Sequence, residues 1–302
     1  MRISGFALAV LVAVAAAAGA PSRAAAWGKE GHELVGKIAD KHLNAKARRG
    51  IAELLQAHQF QSLADGRLTN WADAIRSSAA FRAKYPKMSQ WHFIDIDVAA
   101  SLDKLDLKEF CPGDDCVLGA ITKFRKVLRD PTKSVPDRRE ALFFIAHFVG
   151  DLHQPLHCAE RGNDKGGNLV KVQVEEGDRH TTNLHKLWDT ELVQEAIGPL
   201  TLADYATRLT NTLSVERRKE FQKGKVEDWI VESHKIARAK VYVDKGVPIP
   251  ATGAPHPLSS DYMLDGAEVV EEQLTKGGVR LAQFLNDAFK DSPVVGVGEP
   301  RP

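Results

Sequence analysis

Apolar residues recur along this chain at helical spacing almost everywhere, and the period of a strand stands out in one short stretch. Over 31–55 the apolar positions are Leu34, Val35, Ile38, Leu43, Ile51, Leu54 and Leu55, and the break near Asn44 predicts a pair of helices. Thr69 or Asn70 is placed to cap a helix that begins WADAIRSS. Residues 91–98 (WHFIDIDV) lack a helical period and read as extended. A loop with CPGDDC leads into a helix through Val117, Ile121, Phe124 and Leu128, which Asp130-Pro131 stops. Pro136-Asp137 opens an apolar helix that continues to Leu152 and ends at Gln154-Pro155. Residues 169–174 (LVKVQV), followed by the turn residues 175–178, are the one convincing hairpin, and Thr182 or Asn183 caps a helix over 184–197. Helices are predicted over 202–213 and 215–243, and a long one from about 258 to 289 contains Gly277-Gly278. No internal repeat is present, so the expected fold class is mainly α, a single compact helical domain with one small β-hairpin.

The first residues depart from this pattern. Met1-Arg2 precede a run over 6–20 rich in Ala, Val and Leu, and 21–26 ends in Ala24-Ala25-Ala26. A basic start, an apolar core and a small-residue end describe a secretory signal peptide, and the apolar run is short for a membrane span, although an uncleaved anchor is the alternative. Cleavage is expected between Ala26 and Trp27. The organisation expected is a signal peptide over 1–26, a folded domain over 27–291 and a disordered tail over 292–302. That predicts a secreted or periplasmic monomer without stable membrane association.

Composition adds limits rather than detail. With 302 residues and 43% hydrophobic content, the chain can bury a sizeable core, and nothing suggests a coiled coil or disorder. Loss of 1–26 removes Arg2 and Arg23 and no acid, taking the formal charge from +1 to −1, so no global basic field argues for tight duplex binding. Three cysteines in an exported chain allow one disulfide. Cys111 and Cys116, five apart around Pro and Gly, are the favoured pair, with pairing of Cys158 to either left open. The absence of a CxxC knuckle argues against cysteine-based zinc.

The candidate chemistry is concentrated in FFIAHFVGDLHQPLHC, where three histidines and an aspartate interrupt an apolar run. Buried without partners, such groups would cost several kcal/mol, so they are normally paired, protonated or bound to metal. His147 and Asp151 are four apart, as are His185 and Asp189, and residues at i and i+4 share a helix face. The turn at Pro155 brings His157 back toward the same region. Each pair alone also reads as a His–Asp hydrogen bond in a core; two pairs with His157 between them favour a cation. Trp27 freed by cleavage would offer its α-amine and carbonyl as a chelate, and His32, Asp73 and His92 add further nitrogen and carboxylate. Nine donors of His, Asp and terminal type, with no Cys, suit a hydrolytic zinc site.

Taken in order, WG..GH at Trp27 to His32, NWAD ending at Asp73, WHFID from Trp91 to Asp95, HFVGDLHQPLH from His147 to His157, GGN ending at Asn168 and NLHKLWD ending at Asp189 resemble the trinuclear-zinc single-strand nuclease and 3′-nucleotidase family. The likeness covers nearly the whole mature chain. It implies a mainly helical fold shared with zinc-dependent phospholipase C and three zinc ions per chain. One zinc would be held by Asp73, His92, His147 and Asp151; a second by Trp27, His32 and Asp151; and a third by His157, His185 and Asp189. Asp73 and Asp151 are implied as the catalytic carboxylates that position the attacking water, with Asp151 bridging two metals. Phe93 is implied to stack on a nucleobase and Asp95 to bond its edge. Asn168 is a further substrate-binding candidate, although GGN also reads as a plain turn. The implied substrates are single-stranded nucleic acid and 3′-nucleotides, cleaved to 5′-phosphate products.

Several residues are set aside. His153 lies off the His147/Asp151 face and is expected to support the site or to stand at the surface rather than ligate. His42, His58, His180, His234 and His256 match no ligand position, Asp97 reads as a strand end or a substrate contact, and Trp71, Trp188 and Trp229 read as core. Two rivals remain: a phospholipase C on the same zinc scaffold, against which Phe93 and Asp95 argue, and a non-catalytic zinc-binding protein, for which His-rich tracts are missing.

Overall fold

A computed structural model of the chain describes residues 27–56, 58–175 and 179–291. The expected signal segment, the expected tail and residues 176–178 of the hairpin turn lie outside the described residues.

The predicted helix pair is α1 (Lys29–His42) and α2 (Ala45–Leu55), divided at Asn44, whose side chain accepts from the Ala47 N–H and so caps α2. Three short helices follow: α3 (Gly66–Thr69), α4 (Trp71–Ile75) and α5 (Ala79–Lys84). Asn70 occupies the cap position of α4 but does not cap it. Its amide donates instead to the carbonyls of Lys29 and Gly66, which fastens the start of α4 to the start of α1. Of the stretch 91–98 expected to be extended, Trp91 and His92 form a turn, with Trp91 at φ −75°, ψ −6°, and residues 93–97 lie outside helices and sheet ladders; the Ile94 N–H donates to the His157 carbonyl, and Asp97 forms an isolated bridge with Glu160.

After the Cys111–Cys116 disulfide come α6 (Val117–Arg129) and α7 (Val135–Asp151), packed against each other. Ser134 caps α7 by accepting from the Asp137 N–H, and Pro136 sits in the first turn, where its missing N–H costs nothing. From Ala141 to Asp151 every residue of α7 is buried, as a helix apolar on all faces must be. A single 3₁₀ turn, Pro155–Cys158, then reverses the chain.

β1 (Lys171–Val174) and β2 (His180–Asn183) form the predicted antiparallel hairpin, with Lys171 opposite Asn183 and Val174 opposite His180. Asn183, not Thr182, caps the next segment by accepting from the Lys186 N–H. That segment consists of α8 (Leu184–Lys186), a π-helical turn over Leu187–Glu191 and α9 (Leu192–Ile197). α10 (Leu202–Thr212) follows as expected.

Two expectations need correction. The stretch 215–243 is not one helix but α11 (Val215–Phe221), α12 (Val226–Ile236) and a π turn over Ala237–Val241. Gly224 adopts φ +81° at the break, and Asp228 accepts from the Lys225 N–H to start α12 afresh, a closure that rewards interrupting the helix. The single hairpin is also exceeded. β3 (Val243–Asp244) and β4 (Val247–Pro248) make a second small ladder, and β5 (His256–Pro257) runs parallel to β1.

The long helix α13 (Ser260–Ala288) closes the fold by packing along α1 and touching α7. Gly278 permits that approach, because a Cβ there would lie 2.5 Å from the Cβ of Ile38. α1 and α7 are thus both held at the centre of the molecule, and the side chains they bury at their ends form the site.

Candidate metal centre

α1 contributes His32, fully buried, and α7 contributes His147 and Asp151, also fully buried. Gly150 makes the meeting of the two helices possible. A Cβ at that position would stand 2.8 Å from His32 Nδ1. The His32 and His147 rings stack at 3.9 Å, and the two oxygens of Asp151 diverge between partners. Oδ1 lies 3.1 Å from His32 Nε2, whereas Oδ2 lies 3.4 Å from His147 Nε2 and 3.0 Å from His92 Nδ1. Asp73, from α4, completes this second side at 3.8 Å from both His147 Nε2 and His92 Nδ1.

A separate group forms where the Pro155–Cys158 turn meets α8 and the π turn after it. His157 Nε2 is 3.2 Å from His185 Nε2, which is 3.3 Å from Asp189 Oδ2. The i, i+4 spacing anticipated for His185 and Asp189 is retained although Asp189 lies in the π turn, a distortion often found at functional sites. Trp27 is fully buried at the start of α1, and the neighbouring Gly28 N–H donates to the Asp189 carbonyl at 2.7 Å. The first described residues therefore run from the Asp189 group to the His32 group.

Other groups orient the donors. Nδ1 of His147, His157 and His185 lies 2.6–2.7 Å from the backbone carbonyls of Thr69, His92 and Gly166, which fixes each tautomer with its N–H on Nδ1 and leaves Nε2 as an acceptor facing the cluster. Gln154 donates to Asp189 Oδ1 at 2.6 Å. Arg76, one turn beyond Asp73 and 3.1 Å from its Oδ1, is the cation at the site that no sequence motif marked. Gln154, too, was legible only as part of a helix stop.

The electrostatics fit a cation. Burial, reinforced by neighbouring imidazoles, holds His32, His92 and His157 well below their usual range, and burial also lowers His147 against the pull of Asp73. These rings are neutral donors at neutral pH. Burial, then Asp73, pushes the Asp151 carboxyl well above its usual range; burial raises Asp189 against the Gln154 hydrogen bond. Both nitrogens of His32, Nε2 of His92, Oδ1 of Asp151 and Oδ2 of Asp189 are buried and make no hydrogen bond. Buried polar atoms left in this state are rare and costly, and divalent cations at the three groups His32/His147/Asp151, Asp73/His92/His147 and His157/His185/Asp189 would satisfy those that face the groups, His32 Nε2, Asp151 Oδ1 and Asp189 Oδ2.

Phe93 and Asp95 lie beside the His/Asp groups and line two adjoining cavities: a groove of about 980 Å³ shared with Asp73 and Arg76, and a small pocket shared with His157, Lys165 and His185. Asn168 is held otherwise, its amide donating to the Lys165 carbonyl within the turn. Lys165 itself adopts φ +58°, between Asp164 and the two glycines. Asp164 secures that turn by accepting from the N–H groups of Arg161 and Gly167 and from the Tyr242 hydroxyl.

The residues set aside stay outside the cluster. His153 is buried, with Nδ1 against the Val149 carbonyl and Nε2 facing Arg280, and burial plus that guanidinium push it down to about 3. His234 is buried against the Cys158 carbonyl, and His180 pairs with Glu191. Asp97 caps its own turn by accepting from the Ala99 N–H. The favoured disulfide, Cys111–Cys116, is formed, and Cys158 is a buried free thiol.

A family model described as S1/P1 Nuclease matches residues 27–290. The chain belongs to that family. It is 31% identical over 279 residues to Endonuclease 2 of Arabidopsis thaliana, spanning 87% of this chain and 90% of the relative. It is 28% identical over 276 residues to Nuclease S1 of Aspergillus oryzae, spanning 86% and 91%, and 27% identical over 277 residues to Nuclease P1 of Penicillium citrinum, spanning 86% and 97%. Membership of the S1/P1 nuclease family makes the chain a hydrolase of ester bonds in nucleic acid, and its helical architecture with small sheets agrees. Among the described residues no helix is long and apolar enough to cross a membrane.

Proposed function

We propose that this protein is an exported, zinc-dependent phosphodiesterase that cleaves single-stranded RNA and DNA to 5′-phosphate products and also hydrolyses 3′-nucleotides. The observation that carries the reading is Asp151: a fully buried carboxylate whose two oxygens address different histidines, beside a groove lined by an aromatic ring. Three zinc ions are proposed. Asp73, His92, His147 and Asp151 would hold one; the Trp27 α-amine and carbonyl with His32 and Asp151 a second; and His157, His185 and Asp189 the third. When bound, zinc supplies Lewis-acid stabilisation of phosphoryl charge and lowers the pKa of water.

The chain's own residues do the rest. Asp73 and Asp151 accept from the attacking water and fix its direction. Arg76, held by Asp73, presents a guanidinium to a phosphate in the groove. Phe93 offers a flat face that any base can stack on, and Asp95 accepts from an amino group on the base edge. A duplex keeps its bases stacked on one another, so the ring favours single strands. The segment 1–26 is proposed as the export signal, and the mature chain as a monomer that starts at Trp27.

Metal analysis of the purified chain beginning at Trp27, paired with end-group analysis of a digested single strand, tests the reading. Three zinc ions per chain and 5′-phosphate ends are expected. One zinc or none, or products with 3′-phosphates, would overturn it.

A further inference from the structure

The groove beside the ligands is larger than the base over Phe93 needs. At about 980 Å³ it stands at the top of the roughly 300–1,000 Å³ range of pockets that enclose a whole small ligand. Phe93, Asp95 and Arg76 line both this groove and the small pocket at His157 and His185, so they mark the boundary between the two. From that boundary the groove continues to Phe110 and Pro112, at the mouth of the disulfide loop, and to Ser89 and Gln90 of the turn Met88–Gln90. None of these four belongs to the ligand cluster.

The far end is built as firmly as the near end. Cys111–Cys116 closes the loop that follows Phe110, and the Val117 N–H just beyond it donates to the Phe93 carbonyl at 3.0 Å. Trp91 Nε1 donates to Asp115 Oδ1 at 3.1 Å from the other side. Phe93 and the loop are thus fastened through the backbone, with two phenyl rings, Phe93 and Phe110, lining one groove. Phe110 is half-buried, packed in part against the core. Arg76 is the one Lys or Arg among the described residues of the lining. A wall with two aromatic rings, small polar side chains, the three carboxylates of Asp73, Asp95 and Asp115 and a single cation recognises bases rather than a run of phosphates.

We propose that Phe110 forms a second nucleobase subsite, so that the groove takes at least two consecutive unstacked nucleotides of a single strand, one base on Phe93 and the next on Phe110. This rests on the nuclease reading and sharpens its substrate: a dinucleotide unit fills the groove, whereas a 3′-mononucleotide reaches only the Phe93 end.

The test compares Phe110→Ala and Phe110→Trp with the parent chain, measuring kcat/KM on a short single-stranded oligonucleotide and on 3′-AMP. Phe110→Ala should lower the oligonucleotide value by roughly 5- to 100-fold, the range expected from loss of one base–aromatic stack, and leave 3′-AMP hydrolysis unchanged. Phe110→Trp should keep both. The loss should be nearly the same at about 50 and about 200 mM salt, because no phosphate contact is removed. Equal losses on both substrates, or no loss on either, would overturn the subsite. A parent chain that hydrolyses neither substrate would instead sink the functional reading. In that case affinity for a phosphorothioate dinucleotide, compared between parent and Phe110→Ala, still decides the subsite: an unchanged Kd refutes it and a matching rise supports it.

Discussion

Gly150 shows how narrowly the site is drawn, since a single methyl there would lie 2.8 Å from an imidazole nitrogen that has no room to retreat. Gly150→Ala should displace His32 from Asp151, and with it the donor pair on which one proposed zinc depends. The expected outcome is a chain that folds, loses about one zinc per molecule and loses about 100-fold in kcat/KM, the upper end for disturbing the groups that orient metal ligands. Full zinc content and full activity in the variant would contradict the placement. Gln154 is a milder case. It touches no proposed metal but orients Asp189 through a hydrogen bond of 2.6 Å, so Gln154→Ala should weaken zinc at the His157/His185/Asp189 group by about 10- to 100-fold and leave the other sites filled. Stepwise removal of zinc with a chelator would show that site emptying first, and an unchanged profile would refute the role. These residues also show what the sequence disclosed. His147/Asp151 and His185/Asp189 were legible because i, i+4 spacing is a property of one helix. Their grouping with Asp73 and His92 rested on donor chemistry and on the family likeness, since no spacing links them; Arg76 carried no signal because one arginine on a short helix looks like many others, and Gln154, inside the HFVGDLHQPLH run, was legible only as the end of a helix.

Elements hold these residues in place, and their reading from sequence succeeded where the hydrophobic period ran long. α13 was recognisable because it sustains its period beyond ten residues, and α7 because a long apolar run lies between the Pro136-Asp137 start and the Gln154-Pro155 stop. The two-residue strands β3, β4 and β5 were not, since no period can be read from two positions. The break before α12 was missed because it depends on Asp228 closing onto the Lys225 N–H, a local bond that competes with continuing a lysine-rich helix. The contact between α1 and α13 is the element-scale feature most open to test. Gly278→Ala would gain up to about 1 kcal/mol of helix propensity but would set a Cβ 2.5 Å from the Ile38 Cβ and 3.1 Å from the Val35 carbonyl. Overpacking of this kind costs about 1–3 kcal/mol, so the variant should be net destabilised by up to about 2 kcal/mol, lowering Tm by several degrees in a thermal melt. An unchanged or raised Tm would mean that the helices part without cost. The start of α1 matters in a different way. If the Trp27 amine is a ligand, a chain carrying one extra residue before Trp27 has an amide there instead and should lose activity, whereas the chain starting at Trp27 is active; equal activity would remove Trp27 from the ligand set.

At the scale of the whole molecule, the proposed metal centre and the fold become one thermodynamic problem, because α1 and α7 meet through titratable groups whose charged forms burial disfavours. Burial raises Asp151 and Asp189 above the ordinary carboxyl value of 3.8, so the stability they contribute in acid is lost as pH rises through that raised value. Burial lowers His32, His92 and His157 below 6.5, so the stability they contribute above that value is lost as pH falls through the lowered one. Zinc requires the carboxylates ionised and the imidazoles neutral. The imidazoles are already in that form at neutral pH, and the protons to be displaced are those of the carboxyls. Zinc binding should therefore release protons over the interval above the ordinary carboxyl value of 3.8 in which the raised carboxyls would otherwise stay protonated, detectable as a dependence of the calorimetric heat on the ionisation enthalpy of the buffer. The Tm difference between loaded and chelated protein should widen as pH rises over the same interval and narrow in acid, with activity falling as metal is lost. Each site filled at about 100 times its Kd adds about 2.7 kcal/mol, so three filled sites should separate the two melts by more than about 10 °C near neutrality. A chelated protein that melts with the loaded one at every pH, or zinc binding without proton release, would show that these buried aspartates and histidines satisfy one another and that the centre is structural polar packing.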